Sequence, residues 1–180
     1  MFIIKKKNTI KIYFSNSEAS EHVTGSLYRV YSDNINILLE CGMSQSNNLE
    51  NDYRTNLRKF NFKVRDIQYV FIGHTHLDHV GLLPLLVKRG LECPIIVPDG
   101  ARRILKDMLT DSAMILYKEA ETLSLRRNKI VEPVYTINDV NAALQLVEEF
   151  PFDKVIKLND HIKFRYVNSG HIICGAQIEL

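Results

Sequence analysis

The sequence has no tryptophan, only three cysteines and no long apolar run among its 180 residues. No segment approaches the roughly 20 apolar residues that a membrane-spanning helix requires, so no membrane association is expected. The cysteines, Cys41, Cys93 and Cys174, form neither an even set nor a Cys-x-x-Cys pair, which argues against a disulfide framework. Residues 1–7 place three lysines after a very short apolar group, the wrong order for a secretory signal. A reducing cytoplasm is therefore the expected location.

A strong charge imbalance is also missing. The net charge of +2 permits binding to a phosphate backbone but does not require it. The short basic clusters Lys5-Lys6-Lys7 and Arg126-Arg127-Asn128-Lys129 are equally typical of solvated surfaces. Aromatic residues do not alternate with basic ones as they do where single strands stack. Hydrophobic residues make up 46% of the chain, enough for the core of one domain.

What the sequence does contain is a dense cluster of metal-binding side chains. His74, His76, Asp78 and His79 lie within six positions, directly after the apolar run Val70-Phe71-Ile72-Gly73. The β-branched and aromatic residues of that run are typical of a short buried strand, and its glycine allows the backbone to turn. This arrangement predicts a ligand loop held at the end of a strand.

Imidazole nitrogens and a carboxylate in this pattern indicate zinc, with manganese as an alternative. His74 and His76 are two positions apart, so an extended backbone directs both side chains to the same side, where they can bind one ion. Asp78 and His79 follow where a turn or a helix start redirects them, and they can bind a second ion. The competing interpretation is a polar loop whose histidines cluster by chance.

The pattern His-x-His-x-Asp-His after a strand resembles the signature of the metallo-β-lactamase superfamily. Further segments, in chain order from about Val23 to Leu180, resemble its β-CASP branch of nucleic-acid nucleases. They are Gly25-Ser26-Leu27-Tyr28-Arg29-Val30, Ile37-Leu38-Leu39-Glu40-Cys41-Gly42-Met43, Val80-Gly81-Leu82-Leu83-Pro84-Leu85-Leu86-Val87-Lys88-Arg89-Gly90 and Asn168-Ser169-Gly170-His171-Ile172-Ile173-Cys174-Gly175-Ala176. The implied fold is an α/β, metallo-β-lactamase-like αββα sandwich, of which this chain forms the N-terminal portion only.

The resemblance implies five metal ligands: His74, His76 and His171 for a first ion, and Asp78 and His79 for a second. Asp78 would also be the catalytic residue, which orients the attacking water or accepts its proton. Glu40 matches a position where the family usually has aspartate, a residue that supports the histidines by hydrogen bonding and does not itself bind metal. Without the family pattern, His171 is more typical of a structural histidine.

The family completes its second metal site with an aspartate beyond the third histidine and with a later histidine that follows an inserted β-CASP domain. Only nine residues follow His171, and none is an aspartate or a histidine. Residues 1–180 are therefore expected to form the N-terminal part of a metallo-β-lactamase-fold domain, with the β-CASP insertion and the C-terminal part absent. A fragment, a truncated product, a split protein with a complementing chain and a homo-oligomer all fit this expectation.

The implied activity is that of a zinc-dependent ribonuclease, which hydrolyses phosphodiesters of single-stranded RNA with water activated by two ions in the complete enzyme. Endonuclease and exonuclease action both stay open. One alternative is a hydrolase of a small ester, thioester or lactone, because the same ligands serve many reactions on one fold. Another is a catalytically incomplete subunit that keeps its metal ligands for stability.

The apolar pattern also predicts the secondary structure. Strands are expected at Thr9–Phe14, Ser26–Tyr31, Asn34–Leu39, Gln68–Ile72, Pro94–Val97, Lys154–Leu158, Ile162–Val167 and Gln177–Leu180. Ser32-Asp33 is expected to form the hairpin turn between the second strand and the third.

Four helical segments are expected between these strands. Ser44–Asn51 is predicted to be a loop before a short helix over Asp52–Phe60, and Leu82–Arg89 a helix or loop. A long amphipathic helix begins at Gly100 and frays or breaks before Arg126. The last helix is expected to have Asn138 as its N-cap, Val147 on its apolar face and its end near Pro151.

Overall fold

A computed structural model of the chain describes residues 10–14 and 25–180. These ranges contain nine strands, five α-helices and one turn of 3-10 helix at Val64–Asp66. The predicted strand start at Thr9, the segment around Val23 and the basic cluster Lys5-Lys6-Lys7 lie outside the described residues.

The larger sheet has six strands, whose order across the sheet is their order along the chain. They are β1 (Lys11–Phe14), β2 (Tyr28–Tyr31), β3 (Asn36–Leu39), β4 (Tyr69–Phe71), β5 (Ile95–Pro98) and β6 (Val147–Phe150). β1, β2 and β3 pair antiparallel, and the predicted turn between β2 and β3 is confirmed, since the N–H of Ser32 donates to the carbonyl of Ile35 at 2.8 Å. β3 to β6 pair in parallel.

Parallel strands need crossover connections, and helices supply them here. These helices are α1 (Leu49–Asn56), α2 (Leu77–Val80), α3 (Leu83–Lys88), α4 (Ala101–Arg127) and α5 (Ile137–Gln145). All five contribute to one core against one face of the larger sheet, where Leu38, Val70 and Ile95 are completely buried. The helices therefore form a single layer.

A three-stranded antiparallel sheet covers the other face of the larger sheet. It contains β7 (Ile156–Lys157), β8 (Lys163–Asn168) and β9 (Ala176–Glu179). Phe164 and Tyr166 of β8 pack in a second core with Phe71 of β4, and the rings of Phe71 and Phe164 meet edge to face at 5.2 Å. The described residues thus form three layers, helices, sheet and sheet, which confirms the predicted class of α/β sandwich.

The long helix α4 contains 27 residues and is unbroken. Its buried positions recur every three or four residues, among them Leu105, Leu109, Ser112, Leu116, Ala120 and Leu123. The predicted fraying or break before Arg126 is wrong. The helix continues to Arg127 and ends because Asn128 adopts a left-handed conformation, with φ of 50°, that asparagine tolerates at a helix end. In the described ranges no helix is both long and apolar enough to cross a membrane.

Helix α1 begins earlier than the sequence predicts. The side chain of Asn48 accepts a hydrogen bond from the N–H of Asn51 at 3.0 Å, which makes Asn48 the N-cap. The predicted helix over Asp52–Phe60 is therefore displaced to Leu49–Asn56, and the predicted loop is wrong in its last three residues.

The predicted cap and end of the last helix are both wrong. Thr136, and not Asn138, is the N-cap of α5: its hydroxyl accepts from the N–H of Asp139 at 3.4 Å, while its own N–H donates to the Asp139 carboxylate at 2.8 Å. This reciprocal pair is a capping box. The helix ends at Gln145, and residues 147–150 pair with β5 as strand β6, a long-range contact that a local helical pattern does not reveal.

We expect Thr136→Ala to lower the free energy of unfolding by about 1 kcal/mol, because it removes the capping hydroxyl. Urea denaturation followed by circular dichroism measures this loss. Asn138→Ala is the matched control, since Asn138 is exposed in the first turn and its replacement should change stability by no more than about 0.5 kcal/mol. Equal losses in the two variants would contradict Thr136 as the cap.

Candidate metal centre

The histidine loop, residues 73–79, starts at the carboxyl end of β4. Gly73 fixes its first peptide: its N–H donates to Oε1 of Glu40 at 3.0 Å, and its carbonyl accepts from the N–H of Ala176, at the start of β9, at 2.8 Å. A Cβ at position 73 would lie only 2.9 Å from Oε1 of Glu40 and 2.9 Å from the carbonyl oxygen of Ala176. Glycine is therefore the residue that lets the loop begin between the two sheets.

The end of the loop is held by its backbone. Helix α2 begins at Leu77, and its first three carbonyls accept hydrogen bonds from outside the helix: Leu77 from Met43 at 2.9 Å, Asp78 from Ser26 at 2.8 Å and His79 from Cys41 at 2.7 Å. Two of these donors belong to the segment that follows β3, residues 40–43, which we call the anchor segment. The anchor segment thus fixes the direction in which the side chains of Asp78 and His79 leave the helix.

Gly42 allows this close backbone contact. A Cβ at position 42 would overlap the carbonyl group of Asp78 and would lie 2.7 Å from the backbone nitrogen of Ser26. Because both neighbours are backbone atoms, no side-chain rotation can relieve the overlap. The anchor segment can approach α2 only with glycine at this position.

Three histidines converge beside the loop. One ring nitrogen from each of His74, His76 and His171 lies within 4.8 Å of the other two, and the ring centroids are 4.9 to 5.1 Å apart. His171 comes from the loop between β8 and β9, in the smaller sheet, whereas the other two follow β4 in the larger sheet. The group that the resemblance assigns to a first ion is therefore brought together, and His76 and His171 are open to solvent.

A second group lies beneath the first. One atom each of Glu40, His74 and His79 lie within 4.8 Å of one another, with the rings of His74 and His79 3.9 Å apart. Oε2 of Glu40 is 3.6 Å from Nδ1 of His79, and neither of these buried atoms has a hydrogen-bond partner in the part of the chain that the structure describes. Glu40 holds this position with a left-handed backbone, φ of 63°. Its side chain accepts from the N–H of Gly73, and it also lies within reach of an ion shared with His74 and His79, which the sequence did not indicate.

Asp78 is placed differently from the histidines. Its carboxylate is partly exposed, belongs to neither group, and lies with Oδ2 3.5 Å from Nε2 of His79. His79 therefore faces Glu40 through one ring nitrogen and Asp78 through the other. The structure brings Asp78 beside the predicted second ligand but not among the converging histidines.

The charge states suit metal binding. Burial, together with the neighbouring imidazoles of His79, His76 and His171, lowers the pKa of His74 to about 4. The ring is therefore neutral near pH 7, the form that ligates metal ions. Burial also lowers the pKa of His79, but the carboxylates of Glu40 and Asp78 outweigh it and raise the net value.

The ligand atoms at this site indicate which kind of metal ion it can hold. Three converging imidazoles, with carboxylates at the edge, fit a borderline divalent ion and not calcium or magnesium, which prefer oxygen ligands. Among the described residues, Oε2 of Glu40 and Nδ1 of His79 are also buried without a hydrogen-bond partner. We conclude that the described residues fit a divalent-metal site.

The fold and this donor set define the class: a layered α/β metalloprotein with its centre at the ends of strands. The sequence profile of the metallo-beta-lactamase superfamily matches residues 22–161. The chain therefore belongs to the metallo-beta-lactamase superfamily, a fold that binds divalent metal.

Two curated relatives are similar over most of this chain. "Probable RNase MJ4" of Methanocaldococcus jannaschii is 30% identical over 162 residues, which cover 90% of this chain and 34% of that protein. "Ribonuclease TTHA0252" of Thermus thermophilus is 25% identical over 154 residues, which cover 86% of this chain and 31% of that protein. The chain thus spans about a third of the length of either relative.

A solved structure supports the fold. MEM-A1, a subclass B3 metallo-beta-lactamase isolated from a soil metagenome library, superposes with a TM-score of 0.50 and 17% sequence identity. The match covers 86% of this chain and 50% of that one. At this identity the likeness concerns the arrangement of helices and sheets, and it agrees with the layers described above.

We expect Gly42→Ala to destabilise the protein by more than about 3 kcal/mol, because the added Cβ overlaps the Asp78 carbonyl and the anchor segment must move. Urea denaturation, or the yield of folded protein, measures the effect. Gly170→Ala is the control: nothing lies within 4 Å of its Cβ position, so only the left-handed backbone strain of about 1–2 kcal/mol applies. Similar losses in the two variants would contradict the close contact.

Replacement of His171 should weaken metal binding. We expect His171→Ala to raise the dissociation constant for zinc on the order of a hundredfold, because one of three converging ligands is lost. Titration against a competing chromophoric chelator measures this constant. His161→Ala is the matched control, since His161 is an exposed histidine in the turn before β8 and outside both groups. Unchanged affinity in His171→Ala would remove His171 from the centre.

Proposed function

We propose that this chain is part of a β-CASP-type ribonuclease that hydrolyses phosphodiester bonds of single-stranded RNA. The observation that carries the proposal is the convergence of His74, His76 and His171 from the two sheets, with Asp78 and His79 alongside. Both relatives described above have names that describe them as ribonucleases. The in-order resemblance of further segments to the β-CASP branch points to the same substrate.

We further propose zinc as the metal, with two ions in the complete enzyme. His74, His76 and His171 would hold one ion, and His79 with Asp78 would contribute to the other. When bound, the ions would polarise the phosphoryl oxygens and lower the pKa of the attacking water. Glu40 would position the His79 ring from behind through Nδ1, which leaves Nε2 directed towards the second ion.

We assign to Asp78 the acceptance of a proton from the attacking water. Its carboxylate is accessible and only 3.5 Å from His79, so it can lie beside both the second ion and the attacking water. As the water oxygen bonds to phosphorus and the bond to the leaving ribose oxygen breaks, Oδ2 would accept the proton of the water. The helix start at Leu77 and the hydrogen bond from Ser26 to the Asp78 carbonyl hold the backbone of this residue in place.

We propose that residues 1–180 are the N-terminal part of the metallo-β-lactamase domain, and that the β-CASP insertion and the C-terminal part lie outside them. The chain spans about a third of either relative, which supports this division. The remaining metal ligands and the RNA-binding cleft would then come from further polypeptide, from a complementing chain or from a second copy. A cytoplasmic location is proposed as well, since all three cysteines are free thiols.

The test combines metal content with turnover. Zinc per chain is measured on the purified protein, and cleavage of a labelled single-stranded RNA is followed with zinc or manganese and with chelator. Where further polypeptide, a complementing chain or a second copy supplies the remaining ligands, metal-dependent RNA cleavage that Asp78→Asn lowers by about a hundredfold is expected. Asp111→Asn, which changes an exposed carboxylate of α4, should leave the rate unchanged.

Other outcomes separate the alternatives. Turnover of a small ester or lactone without RNA cleavage would replace the ribonuclease proposal with a small-molecule hydrolase. Bound zinc with no turnover of either substrate would contradict activity of this chain by itself and favour an incomplete subunit. Absence of bound metal would overturn the proposed centre.

A further inference from the structure

One hydrogen bond of the larger sheet is missing at the point where the histidine loop begins. In the parallel pair β4–β5, the N–H of Val70 donates to Pro94 at 3.1 Å and the N–H of Ile72 donates to Ile96 at 2.9 Å. The ladder would continue with an N–H from residue 98 to the carbonyl of Ile72. Residue 98 is proline, which has no N–H, so the strand cannot supply that donor.

A side chain from the other sheet occupies this position. The hydroxyl of Tyr166, on β8, lies 3.0 Å from the carbonyl oxygen of Ile72 and 2.8 Å from that of Ile96. The Ile96 carbonyl already accepts from the N–H of Ile72, whereas the ladder donor to Ile72 is the one that Pro98 removes. The tyrosine is completely buried, so water cannot take over its role.

This hydroxyl lies between the two segments that carry the histidines. Ile72 is two residues before His74, and Tyr166 is on the strand that leads to His171. A shift in the Ile72 peptide would turn Gly73 and move His74, while a shift in β8 would move His171. Burial raises the pKa of Tyr166 well above its ordinary value, so the hydroxyl keeps its proton and remains a donor.

We propose that Tyr166 is a positioning residue of the metal centre, whose hydroxyl replaces the backbone N–H that Pro98 cannot supply and so fixes the histidine loop against the smaller sheet. The proposal rests on the proposed metal-dependent function, because its effect is on the placement of His74 and His171. Tyr166 itself is not assigned contact with metal or RNA.

The test restores the missing N–H. Tyr166→Phe removes only the hydroxyl and is expected to raise the dissociation constant for zinc about tenfold, with a changed visible spectrum of the cobalt(II)-substituted protein. Pro98→Ala returns a backbone N–H opposite the Ile72 carbonyl. In the Pro98→Ala background, adding Tyr166→Phe should change zinc affinity by less than about twofold, because the carbonyl now has its ladder donor.

The matched control removes another buried tyrosine hydroxyl. Tyr135 is also completely buried, and its hydroxyl donates to Ser112 of α4 at 2.8 Å, so it has no bond to the histidine loop. Tyr135→Phe should lower the urea midpoint but leave zinc affinity and the cobalt spectrum unchanged. An equal loss of affinity in Tyr135→Phe, or no rescue of Tyr166→Phe by Pro98→Ala, would overturn the proposal.

Failure of the proposed function is separable from failure of this inference. If the wild-type chain binds no metal, the metal centre is refuted. The urea midpoints of the wild type, the two single variants and the double variant then still decide whether the Tyr166 hydroxyl replaces the missing N–H. A smaller midpoint shift from Tyr166→Phe in the Pro98→Ala background than in the wild type supports the replacement of the N–H. Equal shifts in both backgrounds overturn it.

Discussion

The docking of the anchor segment on helix α2 is the contact on which the centre depends. A helix of four residues has too few internal hydrogen bonds to fix its own direction. Here three of its carbonyls accept from Ser26, Cys41 and Met43, so the segment before β2 and the segment after β3 determine where it points. The same segment carries Glu40, which binds Gly73 at the other end of the loop. The anchor segment therefore fixes both ends of the histidine loop, one through the Glu40 side chain and the other through its backbone.

The second requirement is the packing of one sheet on the other. His171 reaches the histidine loop only because Phe164 and Tyr166 of β8 are buried against Phe71 and Ile96 in the core between the sheets. The hydrogen bond from Ala176 to Gly73 continues that contact to the loop itself. Damage to this core would separate His171 from His74 and His76 without changing any of the three side chains. The geometry of the three histidines thus depends on the packing of the core between the sheets.

The sequence predicted the features that depend on residues close together in the chain. The histidine cluster, the strand before it and the β2–β3 hairpin follow from neighbouring residues, and the structure has the strand and the hairpin where expected. His171 needed a family resemblance, because nothing near it in the chain shows that it meets His74. Helix boundaries failed where a cap competed with the apolar pattern, as at Thr136, and β6 was missed because pairing with β5 decides it. Pro98 has no N–H, and the hydroxyl that we propose in its place belongs to Tyr166, which is far from it in sequence. No local pattern therefore predicts this replacement.

The division of the three histidines between two sheets has a thermodynamic consequence. An ion held by His74, His76 and His171 would act as a cross-link between layers that otherwise meet through apolar contacts and a few hydrogen bonds. Because only the folded chain presents the three ligands together, free metal would shift the folding equilibrium by mass action, by about 2.7 kcal/mol at a concentration one hundred times the dissociation constant. The abundance of the folded protein in a cell would then follow the metal supply of its compartment, even under conditions where no substrate is present.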